Sequence, residues 1–142
     1  MSNADLQRLL DEAALRRTAE LYAQGADRRD KALWSSILTQ DCVIEAPGIR
    51  LLGREQIVAA LDVMARLYVV TQHRVHNQIA RIDGDTASGE TYSVAEHVSE
   101  SAGKRQILTW AIRYQDLWRR EAGEWRFARR ALILDWTEMR TL

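Results

Sequence analysis

From Val69 to the C-terminus the chain consists of four long runs, "VVTQHRVHNQIARI", "TASGETYSVAEHVS", "RQILTWAIRYQDLWRR" and "EWRFARRALILDWTEM", separated by "DGD", "ESAGK" and "EAGE". The runs alternate apolar and polar residues or are rich in β-branched and aromatic side chains, which suit a pleated surface with one face on a core. Each break is short, polar and contains glycine, the composition of a hairpin turn. Four consecutive antiparallel strands joined this way make a strongly curved meander, and only the three helical segments before them are available to cover its concave side. The sequence therefore predicts an α+β fold: a cone-shaped, curved, mixed but mostly antiparallel sheet covered by three N-terminal helices.

The first half supplies those helices. Leu6, Leu9, Leu10, Ala13, Ala14 and Leu21 recur at helical spacing after the start signal "SNAD", and Gly25 stands where a helix would end. A first helix is predicted from about Asp5 to Gln24. Trp34, Ile37 and Leu38 mark one face of a second, shorter helix, with Asp27 placed as its N-cap and Asp30 in its first turn. "DCVIEAPG" reads as a short strand closed by Pro47 and Gly48. After Gly53, the series Ile57, Leu61, Met64 and Leu67 gives a third amphipathic helix.

A chain of 142 residues, 46% hydrophobic, fits one domain spanning 1–142 that buries about two thirds of its unfolded surface. Acidic and basic residues balance to zero and are interleaved, so no field exists to collect nucleic acid or an anionic membrane. A small, weakly charged or uncharged partner is expected instead. No apolar stretch approaches the roughly 20 residues that cross a bilayer, and the N-terminus lacks a signal-peptide pattern, so the expected location is cytoplasmic. The one cysteine, Cys42, cannot form an internal disulfide and reads as a buried, inert thiol in "CVIEAP". His73, His76 and His97 show no helical i, i+4 pair and no carboxylate cluster, and no glycine-rich phosphate loop is present. Neither a metal nor a cofactor is expected.

The order of these pieces resembles a known family. A helix with "YAQGAD", a tryptophan in the next helix, "DCVIEAPG", "GREQIVAAL", "HRVHN", "IDGDTASGETYSVAEH", "RYQDLWRREAGEWRFARR" and "LDW" together resemble the SnoaL-like branch of the nuclear transport factor 2-like superfamily over nearly the whole chain. The resemblance implies a cystatin-like roll with its reactive groups inside the cone. It also implies a homodimer packed through the convex sheet face. In the dehydratase-like members, similar to scytalone dehydratase and the bile acid dehydratases, a tyrosine near the end of helix one and an acid shortly after it meet a histidine on the first long strand. Tyr22, Asp27 and His73 stand at those positions. A further polar residue is implied on the second long strand, where His97 shares the parity of Ala95 and Glu96 points the other way. His76 has the parity opposite to His73 and should face away.

These residue types suit acid–base chemistry. A neutral imidazole removes a proton near neutral pH, and a carboxylate on its other nitrogen fixes the tautomer and stabilises the imidazolium. Asp27 would serve His73 in this way, Tyr22 would donate its hydroxyl hydrogen to a developing oxyanion, and His97 would protonate a departing hydroxyl. Leu61, Met64 and Trp110 would line the substrate pocket. Asp27 could also serve as a helix cap, and the other tryptophans, Trp118, Trp125 and Trp136, read as sheet core or interface. Arg113, Asp116, Arg129 and Arg130 read as cross-strand ion pairs that fix register.

One departure narrows the implied chemistry. The steroid isomerases carry their carboxylate base on the short strand immediately before the proline, where this chain has Ala46 before Pro47, and Glu45 should project to the other face. The expected activity is therefore that of a dehydratase or isomerase with a Tyr, Asp and His set, acting on a cyclic, polyketide-like or steroid-like molecule. The alternative is a domain of the same fold that binds an apolar ligand or a partner subunit without chemistry.

Overall fold

The computed structural model describes residues 1–142. Three helices, α1 (Asn3–Arg28), α2 (Lys31–Ile37) and α3 (Arg54–Leu67), pack on one sheet of six strands. The strands are β1 (Leu38–Ala46), β2 (Ile49–Leu52), β3 (Val70–Asp83), β4 (Thr86–Ser101), β5 (Lys104–Glu121) and β6 (Glu124–Thr141), in the spatial order β2-β1-β6-β5-β4-β3. The four alternating runs become β3 to β6, paired antiparallel through their hairpins. β1 returns the first half of the chain to the sheet parallel to β6. The fold is the expected α+β roll with a mixed, mostly antiparallel sheet. β2, formed by "IRLL" after the Pro47–Gly48 turn, was not legible in the sequence and pairs only with β1.

The junction between α1 and α2 differs from its sequence reading. α1 opens with a capping box, Ser2 accepting from the Asp5 amide while the Asp5 carboxylate accepts from Ser2. It does not stop at Gly25. A Cβ there would lie 2.4 Å from Trp34 Cδ1 of α2, so this glycine is a packing residue that lets the indole approach the helix. Trp34 Nε1 then donates to the Tyr22 carbonyl at 2.8 Å. The helix continues for another turn and ends at Arg29, whose φ of 54° is left-handed. Asp27 consequently lies inside α1 and caps nothing. The N-cap of α2 is Asp30, whose side chain accepts from the Leu33 amide at 3.0 Å. Leu38, read as helical, is the first residue of β1 and fully buried.

The core fills the concave side, where Leu15, Ala19, Trp34, Ile57, Leu61, Trp118 and Phe127 pack together. Alternation along β4 shows how the sheet divides: Thr91, Ser93, Ala95 and His97 are buried, while Tyr92 looks to the opposite, helix-free face. By strand register that convex face also carries Leu117, Ile133 and Trp136, all exposed. Trp118 and Trp125 belong to the core. Of the charged residues expected to pair across strands, Arg113 meets Asp135 and Arg129 meets Glu45 near the surface. The pair between Arg130 and Asp116 is different in kind, since it is fully buried on the concave side. No helix is long and apolar enough to cross a membrane.

Candidate active site

α1 runs beside β3 and turns Asp27 towards it. The Asp27 carboxylate lies 2.6 Å from His73 Nδ1, accepts from the His73 backbone amide at 2.9 Å, and accepts from the Thr71 hydroxyl at 3.0 Å. Burial works against its charge, but the hydrogen bonds from the His73 ring and amide, with the Thr71 hydroxyl, outweigh it and hold the carboxyl below its ordinary value. An ionised carboxylate only accepts, so His73 Nδ1 carries its hydrogen towards Asp27 and Nε2 keeps the lone pair.

The His73 ring forms part of two walls. On the inner side is a cavity of about 10 Å³ lined also by Tyr22, Thr91, Ser93, Tyr114 and Arg130. On the outer side is an open cleft of about 460 Å³ between α1 and β3, lined by Asp27, Gln24, Arg16 and Arg28 among others. Ala23, His73 and Val75 border both spaces.

Tyr22 lines the inner cavity together with His73. Its ring stacks on Trp34 at 4.6 Å between centroids, and the Arg130 guanidinium carbon lies 4.5 Å from its ring centre. Burial above all pushes the phenol well above its ordinary value, so it keeps its proton. Arg130 itself was read from sequence only as a register pair. Its Nε and Nη2 bond Asp116 at 2.7 and 3.1 Å, its guanidinium packs 3.6 Å from the Tyr114 ring centre, and its Nη1 bonds nothing in the chain. Arg130, Tyr114, Thr91 and Ser93 thus line the candidate site, and the sequence reading did not place them there. Their shared parity was readable, but which strand positions face each other across β4, β5 and β6 depends on bulges at Ala111/Ile112 and Leu117/Trp118.

His97 lies opposite Thr71, 5.7 Å from the His73 ring centre, packed between Tyr68 and Trp110. Its Nδ1 donates to the Leu108 carbonyl at 3.0 Å, and burial above all lowers its pKa to about 4. Near neutral pH it is therefore uncharged, with a lone pair on Nε2 and no proton to deliver. In this state its Nε2 can accept from a hydroxyl. Trp110 stands 4.6 Å from the His97 ring. Leu61 is fully buried and Met64 packs against the core, and neither is among the residues that line the cavity or the cleft. Glu96 turns to the other face and meets Arg74 and Arg140, Glu45 pairs with Arg129, and His76 is exposed. Cys42 is buried, and burial chiefly raises its thiol to about 12, which makes it unreactive. No three His, Cys, Asp or Glu side chains are placed so that they could hold a metal ion.

The low value of His97 has a consequence for stability. Between about 6.5, the ordinary value of imidazole, and about 4, the unfolded chain binds a proton that folded His97 refuses. Stability is therefore lost as pH falls through that window. Urea unfolding measured from pH 7 to pH 4 is expected to show a shallower loss for His97→Gln than for the wild type.

On the concave side of the covered, curved sheet an Asp–His pair thus lies beside a cavity that a buried phenol and guanidinium also line. Residues 7–131 match the SnoaL-like domain. The chain belongs to the SnoaL-like family. No curated protein matches it by sequence. Among solved structures, a type 2 hexachlorocyclohexane dehydrochlorinase, LinA, is similar with a TM-score of 0.85 and 21% identity, over 97% of this chain and 93% of that one. A candidate scytalone dehydratase from Novosphingobium aromaticivorans DSM 12444 is similar with a TM-score of 0.83 and 21% identity, over 92% and 88%. Rv3472 of Mycobacterium tuberculosis, a protein of unknown function solved as an aspartate-to-asparagine variant, is 26% identical with a TM-score of 0.82, over 95% and 77%.

Proposed function

We propose that the protein is an acid–base lyase or isomerase acting on a small cyclic, polyketide-like or steroid-like molecule without a cofactor, with His73 as general base. The observation that carries this reading is the 2.6 Å contact between His73 Nδ1 and an Asp27 carboxylate fixed by two further donors. That arrangement leaves Nε2 as a neutral acceptor and stabilises the imidazolium formed when it takes a proton. A proton removed from carbon next to a carbonyl leaves negative charge on oxygen. The Tyr22 hydroxyl and the free Nη1 of Arg130, on the same cavity, are the donors suited to stabilise it. His97 Nε2 would accept from a substrate hydroxyl and orient it. The names of LinA and of the Novosphingobium protein both describe eliminations. Elimination of water and isomerisation share this first proton transfer.

A cavity of about 10 Å³ holds a single water at most. The substrate would accordingly reach His73 through the cleft between α1 and β3, with Ala23 and Val75 yielding around it. The small size of this cavity is what favours the second reading, a domain that binds a ligand or partner subunit and does no chemistry. In either reading the uncovered convex face, with Tyr92, Leu117, Ile133 and Trp136 exposed, is the surface through which two copies of the chain would pair.

A panel of hydroxy-ketones and polyketide-like compounds, screened by thermal shift and by product mass, tests the enzyme reading; loss of the mass of water would name the reaction. Asp27→Asn preserves size while removing the charge that stabilises the imidazolium. It is expected to lower turnover by about 10²-fold while costing about 1 kcal/mol of stability. Turnover at the wild-type rate would remove Asp27 from the mechanism.

A further inference from the structure

The third partner of Asp27 is itself held in place. Arg29 Nη1 donates to Thr71 Oγ1 at 2.8 Å, which commits the Thr71 hydroxyl hydrogen to Asp27 at 3.0 Å. The same nitrogen also donates to the Ala26 carbonyl. Thr71 is buried, and the Arg29 guanidinium, one hydroxyl away from Asp27, feels the charge of that carboxylate. Arg29 takes the left-handed φ of 54° that closes α1, a conformation costly for a residue with a side chain. That turn lets its guanidinium fold back over the end of the helix towards β3.

We propose that Thr71 and Arg29 are positioning residues which act through Asp27 to set how strongly His73 holds its proton. The inference rests on the reading of His73 as general base. A carboxylate that also accepts from Thr71 and feels a nearby guanidinium is a weaker partner for imidazolium, so the ring gives up its proton more readily. Removing either partner leaves more of the carboxylate's charge to the imidazolium, and the ring then stays protonated to higher pH.

Other charged and titratable groups face His73 as well. Arg16, Glu20 and Arg28 share the outer cleft from α1. Tyr22, Tyr114 and Arg130 share the inner cavity, and His97 meets the ring from β4. All of these are unchanged in the variants below, so differences among those variants report the Arg29–Thr71–Asp27 chain.

The test is an NMR titration of the His73 ring in the free protein, comparing the wild type with Thr71→Val, Arg29→Met and Thr71→Ser. Val is close to Thr in shape and lacks the hydroxyl, and Met keeps the aliphatic stem of Arg29. The midpoint is expected to move to higher pH by about 0.5 to 1 pH unit in Thr71→Val and Arg29→Met, and to stay in place in Thr71→Ser. With a substrate, the acid limb of the kcat/KM profile should move in the same direction. An unmoved midpoint in folded Thr71→Val and Arg29→Met overturns the proposal, as does a Thr71→Ser midpoint displaced like that of Thr71→Val. Should Thr71→Val fail to fold, Arg29→Met, at the partly exposed end of α1, decides alone. Because the titration needs no substrate, displaced midpoints in a protein that turns over nothing would uphold this chain of contacts and sink only the enzymatic reading.

Discussion

Replacing His73 by alanine is expected to lower kcat by about 10² to 10⁴, the usual cost of losing an acid–base group. Stability should change little. Asp27 keeps the Thr71 hydroxyl and the backbone amide of position 73, so its charge is not left bare. A cost of about 1 kcal/mol is expected from the lost ring hydrogen bond. Thermal unfolding read beside turnover separates the two effects. A variant that unfolds early and loses activity in proportion would place His73 among the packing residues instead.

The second large effect falls on the fold. The Arg130 and Asp116 side chains are 2% and 0% exposed, with the guanidinium enclosed by the rings of Tyr22, Tyr114 and Phe127. Removing one member strands the other charge in the core, which typically costs about 3 to 5 kcal/mol. Arg130→Met leaves Asp116 with only the Thr91 hydroxyl, which donates at 2.8 Å. A fall in Tm on the order of 10 °C is expected for a domain of this size. Calorimetry of Arg130→Met beside the double change Arg130→Met, Asp116→Leu checks the cause, because the double variant should regain part of the loss. Equal Tm values for Arg130→Met and wild type would show that the pair contributes no net stability.

The sheet was legible because its evidence is local. Alternation from Val69 onward and glycine in each break specify strands and hairpins without reference to anything distant. The α1–α2 junction was misread for the complementary reason. Gly25 carries the local signature of a helix end, yet its role is set by Trp34 packing from another helix. Asp27 has a residue type and position that suit a cap, and nothing local points its carboxylate at His73; the family resemblance did, and β3 brings the two to 2.6 Å. His73 was placed inside the cone by the family resemblance, with parity only separating it from His76, whereas Arg130 was not placed in the site at all. Its partner Asp116 is on another strand, and two bulges between β5 and β6 displace the register that a count along the sequence would assume.

The central claim is that His73 removes a proton from carbon with Asp27 behind it. Incubating the protein in deuterium oxide with the hydroxy-ketone panel, and reading deuterium incorporation next to the carbonyl by mass spectrometry, observes that proton transfer even where no later step follows. The wild type is expected to exchange at least one member of the panel far above the buffer rate, with His73→Ala reduced to the buffer rate and Asp27→Asn between them. Exchange by His73→Ala as fast as by the wild type would contradict the account.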